Sequence, residues 1–236
     1  MVTKLCVLAL LAPLASGCAK TESSDLLTSG IYADLSAHAT GAGTTTVSAT
    51  LYVDNPSNLN FVELTGNDQL IASYGGQHKV MSQVEVLNIV SHSAEFSTDA
   101  DGTTFQIALE RSVDAGAPMS TVTVPPRFTL GPAPATASRA AAMTLTWSPA
   151  SSSDAMAWKA TGACIGDVQG VIAGDPGTVT IPAGMMVKRQ GTNVADSCMV
   201  SLTVTRSRPG VLDPHFTRGG TVTGSQDRVV SMMSTP

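Results

Sequence analysis

The chain has 236 residues, of which 43% are hydrophobic, 13% charged and 4% aromatic, and its formal charge at pH 7 is −5. The apolar residues are spread through the chain and often alternate with Ser and Thr, which excludes a charged disordered chain, a coiled coil and a collagen-like chain. With no excess of basic residues, nucleic acid is not an expected partner. The length allows one large domain or two small ones.

The N-terminal segment contains Lys4, an apolar run over 5–14, and then the small residues Ala15, Ser16 and Gly17. A short basic region, an apolar run and small residues are typical of a secretory signal peptide. The run is too short to span a bilayer of about 30 Å as a helix. We therefore expect residues 1–17 to be a signal peptide.

Cys18 follows these small residues directly, and the segment resembles the lipobox of bacterial lipoproteins. In that family the Cys thiol receives a diacylglyceryl group, the signal is removed before it, and the new amino terminus is acylated, for example with palmitate. The resemblance implies that Cys18 is the lipid anchor and that the partner of this end is a membrane. Ala19 after it implies an outer-membrane location in the bacterial cell envelope. The alternative is an ordinary signal peptide, since Ala15 stands where Leu is commonest.

Residues 18–29 are polar and small, and we expect them to form a lipidated tether. From Gly30 the apolar residues alternate with polar ones, most regularly over 44–54, which predicts half-buried strands. Residues 84–90 are apolar and rich in β-branched side chains, which favours a strand over a short helix. Two turn sequences, TGND after Leu64 and DADG at 99–102, are each expected to connect the strands of a hairpin.

The stretch 131–138, GPAPATAS, is the expected domain boundary, because it combines prolines with small residues. The fold class is predicted as all-β, with two immunoglobulin-like β-sandwich domains in tandem over 30–132 and 133–236. One larger β-sandwich is the alternative. The segment LTWSP after the boundary resembles the opening of fibronectin type III modules. Trp147 and Trp158 fall on apolar strand faces, where core filling is favoured over ligand stacking.

The four cysteines have separate expected roles. Cys6 would be removed with the signal, and Cys18 would carry the lipid. Cys164 and Cys198 then remain as a pair in an oxidising compartment, which predicts a disulfide. A redox or metal-binding pair is the alternative, and the absence of CxxC spacing and of a neighbouring His disfavours it.

Three further sets of residues are of types that can bind metals or anions. The histidines share no metal-ligand spacing, which predicts exposed strand or loop residues; they are His38, His78, His92 and His215. Asp99 and Asp101 resemble the start of a calcium loop, but Glu110 is one position short of the distal ligand, so a turn is favoured. The arginines of the C-terminal region could bind an anion, although solvated edge positions are favoured; they are Arg206, Arg208, Arg218 and Arg228.

The sequence contains no GxSxG, SxxK or HExxH motif and no phosphate-binding glycine loop. We therefore predict no catalytic residues, no cofactor and no metal. The expected function is an envelope-anchored lipoprotein that acts as a binding or structural module for a protein or glycan partner. The alternatives are a secreted hydrolase-like enzyme with a site assembled from distant loops, and a calcium-dependent adhesin.

Overall fold

The computed structural model describes residues 19–236. Cys18 and the predicted signal peptide lie outside these residues, so export and lipidation stay predictions. No helix between Ala19 and Pro236 is long and apolar enough to cross a membrane. The elements are almost all strands, which confirms the all-β prediction.

Eighteen strands follow one another along the described chain, joined by turns and three short 3-10 helices. They are β1 (Ala19–Glu22), β2 (Ile31–Ala39), β3 (Thr45–Val53), β4 (Asn60–Glu63), β5 (Gln69–Tyr74), β6 (Gln77–Val80), β7 (Ser82–Val86), β8 (Ile89–Phe96), β9 (Thr104–Glu110), β10 (Ala117–Thr123), β11 (Thr129–Leu130), β12 (Thr136–Ser138), β13 (Met143–Ser148), β14 (Ala155–Gly162), β15 (Val168–Ile172), β16 (Thr178–Ile181), β17 (Cys198–Pro209) and β18 (Gly220–Thr235).

The strands form three sheets. The long sheet has 11 strands in the order β1-β4-β3-β2-β18-β17-β14-β15, with β12 beside β18 and with β8 and β7 beside β3. A four-stranded sheet has the order β10-β9-β5-β6, and a three-stranded sheet the order β11-β13-β16. The two small sheets cover different stretches of the long one, which gives a β-sandwich architecture.

The alternation in the sequence explains the layering. In β2 and β3 every second side chain is buried, and the intervening Ser, Thr and Tyr residues face outward. The first core joins these strands to the four-stranded sheet, for example through Leu35 and Val47 on one side and Phe105 and Ile107 on the other. The second core lies between the three-stranded sheet and β14, β17 and β18.

Strand β18 connects the two cores. Its first part, Gly220–Gln226, runs parallel to β2, while residues 223–234 pair antiparallel with β17. Val222 therefore belongs to the first core and Met232 to the second. Because β18 continues past the end of β2, the second core lies at one end of the first. We call the opposite end, where β2 begins and β3 ends, the basal end. The predicted boundary at 131–138 between two separately folding domains stays a prediction.

Two predicted hairpins are wrong. TGND joins β4 of the long sheet to β5 of the four-stranded sheet, and DADG joins β8 to β9 in the same way. Both segments do make turns, but each turn carries the chain across the core instead of back along its neighbour. Residues 136–138 form β12, which pairs in parallel with the end of β18.

The expected tether differs from the structure. Residues Ala19–Glu22 form β1, which pairs in parallel with β4, and two 3-10 turns follow. The buried guanidinium of Arg111 holds this segment by donating hydrogen bonds to the carbonyl oxygens of Ser23 and Leu26. It also donates a hydrogen bond of 3.0 Å to Thr28 Oγ1. Since a buried guanidinium must satisfy its donors, residues 19–30 are bound to the body rather than free.

Candidate functional site

The histidines do not come together. His38 and His215 lie beside carboxylates, Nε2 of His38 3.7 Å from Asp227 and Nδ1 of His215 2.7 Å from Asp213. His78 is exposed beside Ser73. Within residues 19–236 no group of three or more His, Cys, Asp or Glu side chains is placed to hold a metal ion.

His92 corrects the prediction of exposed histidines. It lies on β8 with 3% of its surface exposed. Neither of its ring nitrogens has a hydrogen-bond partner in the described part of the chain. Burial lowers its pKa, because the apolar surroundings disfavour the imidazolium.

The carboxylates of DADG face a protein cation. Asp101 Oδ1 lies 3.0 Å from Arg127 Nε, and Asp99 Oδ1 lies 3.6 Å from Arg127 Nη1. Asp99 Oδ2 also accepts a hydrogen bond from the backbone N–H of Gly43. These contacts explain the two acidic residues as the partners of Arg127 at a crossing between sheets.

The four C-terminal arginines do not form one anion site. Arg206 is buried and paired with Asp175, which corrects the expected solvated position. Arg208 pairs with the buried Asp154 at 2.8 Å. Arg218 forms a solvent-exposed ion pair with Asp54. The guanidinium of Arg228 lies over the ring of Phe128.

The aromatic and cysteine predictions agree with the structure. Trp147 and Trp158 are both buried in the second core, as expected for core residues. Trp147 Nε1 donates a hydrogen bond of 2.6 Å to Asp175 Oδ1. Cys164 and Cys198 form the predicted disulfide, with Cα atoms 5.6 Å apart.

The most apolar exposed feature is the hairpin of β7 and β8. We call Val84, Val86, Leu87 and Ile89 the apolar tip. Val86 pairs directly with Ile89, so both side chains lie on the outer face of the hairpin, and Leu87 is 86% exposed. Leu87 and Asn88 form a two-residue turn with φ of +52° and +64°. Such turns favour Asn and Gly, so Leu at this position has a conformational cost.

This turn falls inside the stretch 84–90, which the sequence predicted as one strand. Sequence reasoning missed it because Leu87 carries no turn signal. Asn88, which tolerates a positive φ, was the available indication. The apolar residues that predicted a buried strand are instead exposed at the tip of a hairpin.

The register places the apolar tip at the basal end. Strand β8 pairs with β3 from Thr45↔Phe96 to Ala49↔His92, so Ile89 and the turn lie beyond, toward the residue at which β3 ends. Lys20 on β1 contacts the same hairpin, with its Nζ 3.1 Å from Glu85 and 3.4 Å from Glu63. The Ala19 amide donates to the carbonyl of Leu59. The described chain therefore begins beside the hairpin.

Three other aliphatic residues are more than half exposed on separate segments of the basal end: Leu27, Leu59 and Val113. Leu27 lies just before β2, and Leu59 just after β3. The Val113 loop is joined to the Leu27 segment because Asp114 accepts a hydrogen bond from the Thr28 amide. Exposed aliphatic residues that gather on one end of a domain commonly mark an interaction surface.

A second candidate surface is a groove of about 570 Å³ beside the edge strand β15. Its lining residues are Ala157, Trp158, Lys159, Gln169, Gly170, Val171 and Thr205. A side chain on Gly170 would place its Cβ 2.6 Å from Trp158 Nε1, so glycine allows the indole to pack against the edge strand. Val171 is 88% exposed. Among residues 19–236 no strand pairs with the outer edge of β15.

Comparison with known proteins finds no matching family model and no matching curated protein. Among solved structures, the chain is similar to a chain of a cytokine receptor complex, with 12% identity over 82% of this chain and 94% of that chain and a TM-score of 0.29. A second match is titin domains z1z2 in complex with telethonin, with 8% identity, 84% and 93% coverage and a TM-score of 0.24.

A third match is the Bacteroides ovatus mixed-linkage glucan utilization locus SGBP-B in complex with a mixed-linkage heptasaccharide. It has 11% identity and a TM-score of 0.21, over 95% of this chain and 69% of that chain. At these identities and TM-scores, none of the three matches bears on what this protein binds.

Proposed function

We propose that this protein is a lipid-anchored, non-catalytic binding module of the bacterial cell envelope. In this proposal the lipid is attached at Cys18, and the free edge of β15 with its groove receives an extended segment of a partner protein. The observation that carries the binding role is the unpaired edge of β15 beside a groove with an apolar floor.

The chemistry of the edge favours an extended peptide. The outer N–H and C=O groups of an edge strand can form a ladder with an added strand, and side-chain pockets then select alternate residues. Val171 and Trp158 offer apolar contacts next to this edge, while Gln169 and Thr205 offer polar ones. The groove thus combines the two requirements for recognition by strand addition.

The lining of the groove supports a binding role over catalysis. Lys159 is the one ionisable side chain among its described lining residues, and its Nζ lies 3.5 Å from Asp167 Oδ2. Hydrolases generally need a nucleophile with a base, or a pair of acid–base groups, within reach of one substrate atom. A single paired lysine does not supply such a set.

The position of the N-terminal end supports the anchor. Ala19 lies at the basal end, and β18 carries the chain to the second core at the opposite end. A lipid on the preceding residue would hold the basal end at the membrane. The second core, with its groove, would then project toward the partner.

The anchor is tested with the full chain expressed in a Gram-negative host, beside Cys18→Ser. We expect an intact mass that corresponds to a lipidated chain beginning at Cys18, recovered in the detergent phase and absent from the variant. An unmodified chain recovered in the aqueous phase would remove the anchor from the proposal.

The groove is tested by selecting extended peptides from a random library on the full chain. Bound peptides should lose at least about 1.4 kcal/mol of binding free energy, a tenfold change, with Val171→Asp. The matched control is Val229→Asp, which adds the same charge to an exposed valine on β18. Equal loss in both variants, or no binders, would contradict strand addition. Oligosaccharide binding that depends on Val171 would replace the peptide by a glycan.

A further inference from the structure

We propose that the basal end docks on a lipid bilayer, with the apolar tip of the β7–β8 hairpin entering the interfacial layer. This inference rests on the membrane anchoring within the proposed function, but not on the groove at β15. It assigns a binding partner, the bilayer surface, to residues that no motif in the sequence marks.

The first argument is the place at which the chain enters the body. The described part begins at Ala19, directly after the 18 preceding residues, and the Ala19 amide donates a hydrogen bond to the carbonyl oxygen of Leu59 at the basal end. Ala19 is only one residue before Lys20, which contacts the hairpin through Glu85. No flexible spacer separates the predicted attachment point from the hairpin, because β1 is already paired with β4. A lipid on Cys18 would therefore bring the apolar tip to the bilayer surface.

The second argument is the shape of the aliphatic surface. At the basal end, the exposed aliphatic residues lie at the apolar tip and on three other segments, represented by Leu27, Leu59 and Val113. The small pocket that Leu27 lines includes neither Leu59 nor Val113. A bilayer offers a broad, deformable apolar layer, so dispersed aliphatic residues on one end can enter it together.

The third argument is the charge beside the hairpin. Lys20 pairs with Glu63 and Glu85, so the two acidic residues next to the apolar tip are not left unpaired in the described structure. The outer face of the tip carries Val84, Val86 and Ile89 without an intervening charge, because Glu85 points to the other face. Desolvating this face therefore does not require burying an isolated charge.

The fourth argument is the backbone cost at Leu87. Asn or Gly would adopt φ +52° more readily, yet the first position of the turn carries Leu. An aliphatic residue at this position does not serve the fold, since 86% of its surface is in solvent. Entry into an apolar layer would account for both its chemistry and its exposure.

The test is tryptophan fluorescence of the full chain carrying Leu87→Trp, reconstituted in phosphatidylcholine vesicles with plain or brominated acyl chains. The control is Val171→Trp at the distant edge strand. Both native tryptophans are buried in the second core, so their emission can be subtracted using the unsubstituted chain. We expect bromine to quench the emission of Trp at position 87 by about half, since interfacial segments enter about 5–10 Å, while the control is unaffected.

Several outcomes would overturn the docking. Equal quenching of the two variants, with the protein still bound to the vesicles, would overturn it while leaving the anchor intact. Loss of the protein from the vesicles would overturn both. A blue shift at position 87 that depends on protein concentration and not on bromine would overturn it by assigning the hairpin to a second copy of the chain.

A second variant separates contact from folding. Val86→Thr, Leu87→Asn and Ile89→Thr together keep β-branched strand residues and introduce a residue suited to the turn, so the hairpin should still form. With Leu27→Trp as the reporter on the neighbouring segment, these three changes should reduce quenching by brominated lipid. Unchanged quenching at Leu27→Trp would show that the tip does not hold the basal end at the bilayer.

Discussion

Arg206 Nη2 lies 2.7 Å from Asp175 Oδ2, and the two side chains are 1% and 0% exposed. Arg206 also donates to the carbonyl oxygens of Pro126 and Pro149, and Asp175 accepts from Trp147 Nε1. The pair therefore fastens β17 to the segment before β11, to the segment after β13 and to the turn between β15 and β16. Loss of either partner would leave the other as an unpaired charge in the protein interior, which is costly.

Removal of one partner should be costly. Arg206→Met should lower the free energy of unfolding by about 3–5 kcal/mol, since it leaves Asp175 buried and unpaired. Arg218→Met is the matched control, because its pair with Asp54 is solvent-exposed, and it should cost at most about 1 kcal/mol. Urea unfolding at pH 7 measures both. Similar values for the two variants would contradict the importance of the buried pair.

Acid should destabilise the protein through its buried carboxylates. Burial alone would raise the pKa of Asp68, but hydrogen bonds from Ser112, Ser23 and Arg111 outweigh it and hold the pKa below its ordinary value of 3.8. The folded state then binds fewer protons than the unfolded state. The contribution of the ionised Asp68 to folding stability is present above the ordinary pKa. It is lost as the pH falls through the lower pKa of the folded state.

The measurement is the free energy of unfolding between about pH 5 and about pH 3, the range in which carboxylates commonly titrate. We expect it to fall with pH in the native chain and to fall less steeply in Asp68→Asn. Asn67→Ala, at an exposed position without an ionisable side chain, should keep the native slope. Parallel slopes in all three proteins would show that Asp68 does not contribute to the acid response.

His92 should give a separate dependence nearer neutral pH. Burial lowers its pKa from 6.5, so the unfolded state binds a proton first as the pH falls below that value. The native chain should therefore lose stability from pH 7 to about pH 5, the range in which histidines commonly titrate. His92→Leu should flatten this part of the curve.

The same substitution should raise the free energy of unfolding at pH 7 by about 1 kcal/mol, because it removes a buried polar ring with unsatisfied nitrogens. His78→Leu, on the exposed strand β6, should leave the free energy of unfolding at pH 7 unchanged. Calorimetry across this pH range distinguishes the two histidines. A destabilised His92→Leu protein would indicate that the imidazole has a partner.

The disulfide should stabilise the second core. The bond closes a sequence separation of 34 residues, so the double variant Cys164→Ala, Cys198→Ala should lose about 3–4 kcal/mol in the chain-entropy description. Reductant should lower the unfolding midpoint of the native chain toward that of the variant. It should have no effect on the variant itself, and a reductant response there would assign the effect to another site.

The strand positions followed from local pattern. In β3 the alternation of Val47, Ala49 and Leu51 with polar residues predicted which side chains are buried, and the structure agrees. The cysteine pair and the two buried tryptophans were also predicted. A period of two requires one face of each strand to be apolar, and this constraint can be seen without knowing the neighbours.

The connections could not be predicted in the same way. The turns at TGND and DADG were recognised, but the strands on either side join different sheets. Turn residues indicate where the chain changes direction, but they do not indicate which sheet the next strand joins. Arg206 and Arg111 were missed as buried residues for a related reason, since their carboxylate and carbonyl partners are distant in sequence.

The sequence by itself determined an all-β chain with half-buried strands, a disulfide pair, and an N-terminal segment that predicts export and lipidation. Only the tertiary structure decided that β18 spans both cores, that residues 19–30 are bound to the body, and that the apolar tip lies beside the start of the described chain. The physical reason is that alternation and turn chemistry depend on neighbours along the chain. Burial of charges and exposure of apolar side chains depend on which distant strands pair.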